Sequence, residues 1–180
     1  FRPGADPFHA LAGALIPVLA ATSPAEAGPA AAPTQAIAGL AAALRADAAK
    51  LAATLQEISR LHPGRQLLLI ADQFEELYTL CQQPEVRKQF LDLLLAVTAA
   101  PTDAAAPAAS FLRVVLTVRA DFLGALVSHR AWADALQNQI DLLGPMTRPE
   151  LAAAVVKPAE LMGVRYEDHL VERILDDLGD

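Results

Sequence analysis

The stretch RQLLLIADQFEELYTLC, residues 65–81, sets five apolar residues directly against an aspartate, then places Glu75 and Glu76 three and four positions further on. The apolar run, Leu67 to Ala71, is too short for an independent helix. A Pro63-Gly64 break precedes it and Asp72 follows it, as in a strand buried on both faces. A buried unpaired carboxylate costs several kcal/mol, so Asp72 belongs where the run leaves the core and meets a cation, a donor or water.

A second run, FLRVVLTV at residues 111–118, is β-branched and nearly continuous in apolar character, and it ends in RADF at residues 119–122. Between the two runs, PEVRKQFLDLLLAVTAA reads as a helix opened by Pro84, with Val86, Phe90, Leu94 and Val97 on one side. Strand, helix and strand in this order predict a parallel sheet covered by helices. Ligands in such sheets bind beyond the carboxyl ends of the strands. Both polar clusters, DQFEE and RAD, fall at that edge.

The remainder of the chain predicts mostly helix. Residues are 54% hydrophobic but only 5% aromatic, so Ala supplies much of the apolar content and favours helix while burying little area per residue. A first helix is expected with Asp6 as N-cap, burying Phe8, Leu11, Leu15 and Leu19. Ile37, Leu40, Leu44, Leu51, Leu55 and Ile58 keep three-and-four spacing along one long helix that ends at His62-Pro63-Gly64. The Ala/Pro-rich segments at residues 21–35 and 100–110 read as loops. Beyond Gly144, Thr147 and Glu150 have capping-box spacing. Pro158 and Gly163 interrupt the helix so opened, and Asp168 is placed to cap a last helix carrying Leu170, Ile174 and Leu178. The tail carboxylates Asp176, Asp177 and Asp180 read as a solvated face, Trp132 as a packing residue and Cys81 as a small buried apolar one.

Several function classes lose their support. The net charge of −7, without clustered Lys and Arg, argues against nucleic acid as a partner. One Cys excludes an internal disulfide framework and suits a reducing, cytoplasmic compartment. His9, His62, His129 and His169 lack metal-ligand spacing, and no Gly-x-Ser-x-Gly or Cys-x-x-Cys occurs. No uninterrupted apolar segment approaches the ~20 residues of a membrane span. The apolar N-terminal stretch holds Asp6 and Pro17, against a secretory signal.

On residue types alone, Asp72 at a strand end suits a hydrated divalent cation, a following Glu suits activation of water, and Arg119 suits charge on a transferred phosphoryl group. The alternatives are an acidic helix start and a salt bridge from Arg119 to Asp121 or Glu75. Longer strings go further. LLLIADQFEELYTLC, FLRVVLTVRADFLGAL and LLGPMTRPELAAAVVKPAELMGVRYED, in this order, resemble the NTPase module of bacterial STAND signal-transduction ATPases, in particular the novel-STAND group often joined to WD-repeat propellers. FRPGADPFHAL is similar to the segment that follows the phosphate-loop helix in that group.

The resemblance implies an α/β fold: a partial P-loop NTPase-type parallel sheet flanked by helices over residues 1–144, then the start of a small helical subdomain over 145–180. It implies that Asp72 is the Walker B aspartate holding Mg²⁺ through water. Glu75 or Glu76 then polarises the hydrolytic water, a helix from Gln73 turning the two about 100° apart. Arg119 becomes the sensor of the γ-phosphate, with Asp121 anchoring it or the next helix, and Pro145 lies in a turn near the adenine. ATP and Mg²⁺ are the implied cofactors. Effector and WD-repeat or other sensor domains in the same chain are the implied partners, with possible oligomerisation. The implied activity is that of a slow, weakly hydrolysing regulatory switch in signalling or defence. A non-catalytic helical interaction scaffold is the alternative.

The 180 residues contain no G-x-x-x-x-G-K-[ST] loop, the source of the phosphate cradle, its Lys and the Mg²⁺ hydroxyl ligand. The family places that loop upstream. The chain, entering at Phe1 without an initiator Met, is therefore expected to be a fragment that binds ATP weakly or not at all. By the same analogy the phosphate-loop strand lies between the sensor strand and a strand near Asp141 to Gly144, so unpaired edges are expected here. Low stability or self-association follows as the expectation for the isolated chain, checked by sedimentation and thermal unfolding. A cooperative monomer with a high midpoint is the contrary result.

Overall fold

In the computed structural model, residues 1–20, 33–98 and 111–178 are described. The chain divides into two compact units, Phe1–Gln139 and Ile140–Asp180.

In the first unit, helices α1 (Pro7–Ala20), α2 (Pro33–Ala46) and α3 (Ala49–Leu61) precede strand β1 (Leu67–Ala71). The short helix α4 (Glu76–Thr79) and helix α5 (Pro84–Thr98) lead to strand β2 (Leu112–Leu116), and α6 (Ala120–Val127) and α7 (Arg130–Ala135) follow. Asp6 caps α1, its carboxylate accepting the His9 amide at 3.1 Å and the Arg45 guanidinium at 2.8 Å. That ion pair ties α1 to α2, and the same guanidinium lies 5.3 Å from the centre of the Phe8 ring.

The expected parallel pairing is present. β1 and β2 run side by side in the same direction, with Leu67 opposite Leu112 and Ala71 opposite Leu116. The crossover between them passes through α4 and α5, and α5 packs on β2. Phe8, Leu11, Leu15, Leu51, Leu55, Ile58, Phe90, Leu93 and Leu94 from the helices join Leu69, Ala71 and Leu112 from the sheet in one core. Phe8 and Phe90 meet edge to face at 5.4 Å, which fixes α1 against α5.

Several sequence expectations are corrected. The run Leu67–Ala71 is not buried on both faces: Leu69 and Ala71 are buried, but Leu68 and Ile70 are 56% and 45% exposed. Val115, paired with Ile70, is 46% exposed on the same face. Among the described residues, packing covers one side of this two-stranded sheet. The periodicity of residues 37–61 belongs to two helices rather than one. Asp47 turns the chain by accepting the Ala49 amide on its side chain at 2.9 Å, a local bond that competes with helix continuation. Pro33 to Gln35, read as loop, open α2. The rest of both Ala/Pro segments, residues 21–32 and 100–110, lies outside the described residues.

The second unit holds helices α8 (Arg148–Leu161) and α9 (Leu170–Leu178), packed on each other and tied by an Arg148–Asp176 ion pair. Asp176 therefore has a partner rather than only solvent. Asp180 lies outside the described residues. Residues 141–147 form no strand. Pro158 does not interrupt α8, which continues through it to Leu161. Gly163, at φ +69°, follows the helix end in the left-handed conformation that glycine adopts at little cost. Asp168 does not open the last helix, which starts at Leu170 after His169 at φ +64°. On α9 the buried position is Leu175, while Leu178 is 60% exposed.

The expected capping box is formed: Glu150 accepts both the Thr147 amide and its hydroxyl at 2.8 Å. The Thr147 amide first, and then its hydroxyl, hold the Glu150 carboxyl below its ordinary value of 4.5. A depressed carboxyl stabilises the folded form fully above the unfolded value and loses that contribution as pH falls through the folded one. The protection of the amides in the first turn of α8 against exchange, taken relative to the intrinsic rate at each pH, is therefore expected to fall as pH drops below about 4.5. Glu150→Gln is expected to remove that pH step. An unchanged profile in the variant refutes the capping role.

Candidate functional site

The carboxyl ends of β1 and β2 are joined by a set of short bonds. The Thr117 amide donates to the Ala71 carbonyl at 3.0 Å, continuing the ladder one residue past the strands. The chain after β1 then folds back onto Thr117. The Gln73 amide donates to the Thr117 hydroxyl at 2.9 Å, and the Phe74 amide to its carbonyl at 2.8 Å. The Thr117 hydroxyl itself donates to Asp72 Oδ1 at 2.6 Å. One further link comes from Glu75, whose Oε2 accepts the Arg119 amide at 3.3 Å. These bonds bring Asp72, Glu75 and Arg119, distant in sequence, to one rim of two co-directional strands.

The turn depends on Gln73, which adopts φ +52°. This left-handed residue reverses the chain so that Phe74 points inward, fully buried, with its ring 6.0 Å from that of Trp132. Trp132 is in turn held by its indole N–H on the Leu91 carbonyl at 3.3 Å, in agreement with its reading as a packing residue. Tyr78 stacks on Phe122 at 6.4 Å, joining α4 to α6. The helix expected from Gln73 thus begins three residues later, at Glu76. Glu75 lies in the turn, where its carboxylate reaches across to the Arg119 amide at the start of α6, while Glu76 opens α4.

Asp72 is about half exposed, and its Oδ2 lies 3.5 Å from Arg2 Nε. The Thr117 hydroxyl lowers the Asp72 carboxyl from its usual value; partial burial pushes it back up, and the charge of Arg2 and the Gln73 amide add smaller downward contributions, so the net direction is down. Asp72 is thereby kept ionised, which answers why an apolar strand ends on a carboxylate: it meets a donor, a cation and water together. Arg2 is placed by its own main chain. Phe1 pairs with the edge of β1 that faces away from β2, donating to the Ile70 carbonyl and accepting the Asp72 amide, each at 2.9 Å.

Arg119 is bound to Asp121, its Nε and Nη2 donating to the two carboxylate oxygens at 3.2 and 2.8 Å. Both side chains are more than half exposed, so this pair holds orientation more than stability. Pro145 lies in the second unit, within the irregular stretch before α8. Thr117 and Arg2 escaped the sequence reading. A hydroxyl one residue beyond a strand was the available signal for Thr117, while nothing local marks Arg2.

Concave surfaces occur elsewhere. One is lined by His62, Arg65, Leu67 and Phe111 at the start of the strands, another by Asp6, Arg45, Cys81 and Gln83. Among the described residues no group of three or more His, Cys, Asp or Glu is placed to hold a metal, and no helix is long and apolar enough to cross a membrane. A single ionised, hydrated carboxylate still fits Mg²⁺, which keeps several waters and takes its other oxygens from phosphates rather than from a protein cage.

The turn generates a stability prediction. A β-branched residue at φ +52° costs of order 1–3 kcal/mol, so Gln73→Val is expected to destabilise the first unit by about that amount although the side chain is exposed. Gln73→Gly is expected to be tolerated, because glycine adopts this conformation freely. Urea unfolding of the two variants checks it, and equal stability of both overturns it.

No curated protein and no solved structure matches this chain. A family model described as Novel STAND NTPase 1 matches residues 1–180, the whole of the sequence. The chain belongs to the Novel STAND NTPase 1 family, a family of nucleotide-binding NTPase modules.

Proposed function

We propose that the rim of β1 and β2 is the acidic and sensing half of an ATP-dependent regulatory switch with a P-loop-type sheet. The observation that carries this reading is the meeting of Asp72, Glu75 and Arg119 at the ends of two parallel, adjacent strands. In this role Asp72 is the Walker B aspartate and holds the water shell of Mg²⁺ on its carboxylate. Mg²⁺, when bound, neutralises phosphate charge and aligns the phosphoryl oxygens. Glu75 is the acid that orients water, since its carboxylate already spans the two strand ends, and Glu76 stands one residue behind it. Arg119 turns from Asp121 to a γ-phosphate, so the competing carboxylate sets how readily the sensor engages.

The phosphate cradle is a separate requirement. Residues 1–180 carry no glycine-lysine loop, and β2 has an edge not paired with β1 beside which a phosphate-loop strand fits. Strong binding therefore requires a chain in which that loop is joined on, together with the adenine-side turn at Pro145. Slow switching rather than turnover is the proposed output, relayed to effector or WD-repeat domains of a cytoplasmic signalling chain.

The test is Mg-ATP binding by a chain that includes the loop. Asp72→Ala is expected to weaken Mg²⁺-dependent binding about tenfold or more. Arg119→Ala is expected to slow hydrolysis at least tenfold while leaving ADP affinity nearly unchanged, because its target is the γ-phosphate. Binding indifferent to both substitutions, or no binding with the loop present, favours the non-catalytic scaffold instead.

A further inference from the structure

The Asp72 carboxylate has two oxygens with two different neighbours, and this asymmetry assigns roles to residues outside the known motif positions. Oδ1 accepts the Thr117 hydroxyl at 2.6 Å, while Oδ2 faces Arg2 Nε at the longer distance of 3.5 Å. We propose that Thr117 and Arg2 divide the carboxylate between them: Thr117 is a positioning residue that commits Oδ1 and sets the ring of donors around the turn, and Arg2 is a built-in counter-cation that covers Oδ2 until a hydrated divalent cation displaces it. The inference rests on the reading of Asp72 as the metal carboxylate.

The Thr117 hydroxyl has one proton and gives it to Asp72. Its lone pairs remain for the Gln73 amide, which lies 2.9 Å away. Both ends of the Asp72-Gln73 unit are therefore held by one oxygen, and the carboxylate cannot rotate without breaking the Thr117 bond to Oδ1, while the Gln73 amide keeps the Thr117 hydroxyl in place. A rotating carboxylate offers either oxygen to a cation and loses orientation; a fixed one offers Oδ2 alone. Arg2 is suited to the opposite task. Its guanidinium is more than half exposed and its contact is loose, so leaving costs little, and it carries the positive charge the site needs while no divalent ion is there. Displacement also has a consequence for the backbone, because Arg2 follows the Phe1 pairing along β1. Occupation of the rim is thus linked to the segment that leads into α1.

The two residues predict opposite signs, which a merely structural role does not. The probe is Mn²⁺ alone, titrated into the ¹⁵N-labelled chain while paramagnetic broadening of the Gln73 and Thr117 amides is followed, with amides around Asp92 as the exposed-carboxylate control. Thr117→Val is expected to require about tenfold more Mn²⁺ for the same broadening. Thr117→Ser is expected to behave as the parent, and Arg2→Gln to require several-fold less. Weakening by Arg2→Gln, or equal behaviour of Thr117→Val and the parent, overturns the division of the carboxylate. Should Thr117→Val fail to fold, the signs given by Arg2→Gln and Thr117→Ser decide it. Asp72→Asn separates the two levels. Broadening that survives it removes the metal reading and this inference together, whereas broadening lost in Asp72→Asn but unaltered in Thr117→Val removes the inference alone.

Discussion

The hydroxyl of Thr117 is the constraint on which the rim depends. A two-stranded parallel pair gives few ladder bonds, and parallel pairing is slightly weaker per residue than antiparallel. Here the residue just past β2 extends the ladder and also collects the chain leaving β1, through its amide, its carbonyl and its side chain. The Asp72-Gln73-Phe74 turn is consequently not a loose loop but a continuation of the sheet. Buried aromatics hold it from beneath, with Phe74 on Trp132 and Trp132 on the backbone of α5. Polar groups at the rim are thus aimed by apolar packing that lies wholly below them.

The parts of this arrangement that periodicity controls were legible in the sequence. Leu67 to Ala71 and Leu112 to Leu116 announce themselves as strands through continuous apolar character, and the helix opened by Pro84 fixes them as parallel. Phe90 and Leu94 fall on the expected face, and Thr147 with Glu150 forms the expected box, because both depend on spacing within one element. Features set by competition between local bonds were not legible. Asp47 splits the long stripe by accepting the Ala49 amide on its side chain, and Pro158 continues a helix it was expected to break. Gln73 takes a left-handed conformation that no residue type announces, which moves the start of α4 and separates the surroundings of Glu75 and Glu76. Arg2 meets Asp72 across 70 positions of sequence, a pairing that no window of sequence contains.

The open side of the sheet follows from the same logic of layers. A run of five apolar residues predicts two covered faces, yet Leu68, Ile70 and Val115 remain substantially exposed. Exposed apolar residues on a sheet face mark a side that packing leaves uncovered among the described residues. Continuous apolar character in a run of five residues therefore does not by itself establish that both faces are covered, and here only Leu69 and Ala71 of β1 are buried.

In the proposed function, the pairing of Arg119 suits a switch rather than a fast catalyst. Its guanidinium is satisfied by Asp121 through two parallel bonds, the strong geometry for this pair of groups. Engaging a phosphate means exchanging one bidentate anion for another, and both partners sit in water, so the net difference between the two arrangements is small. A small difference is what a two-state element requires, because a ligand shifts a population only by its differential affinity for the two states. Were Arg119 unpaired, it would bind phosphate more readily and report less. Were Asp121 buried against it, the exchange would be too costly to occur. In that proposal, an exposed, bidentate partner two residues along the chain is one that a phosphate can replace.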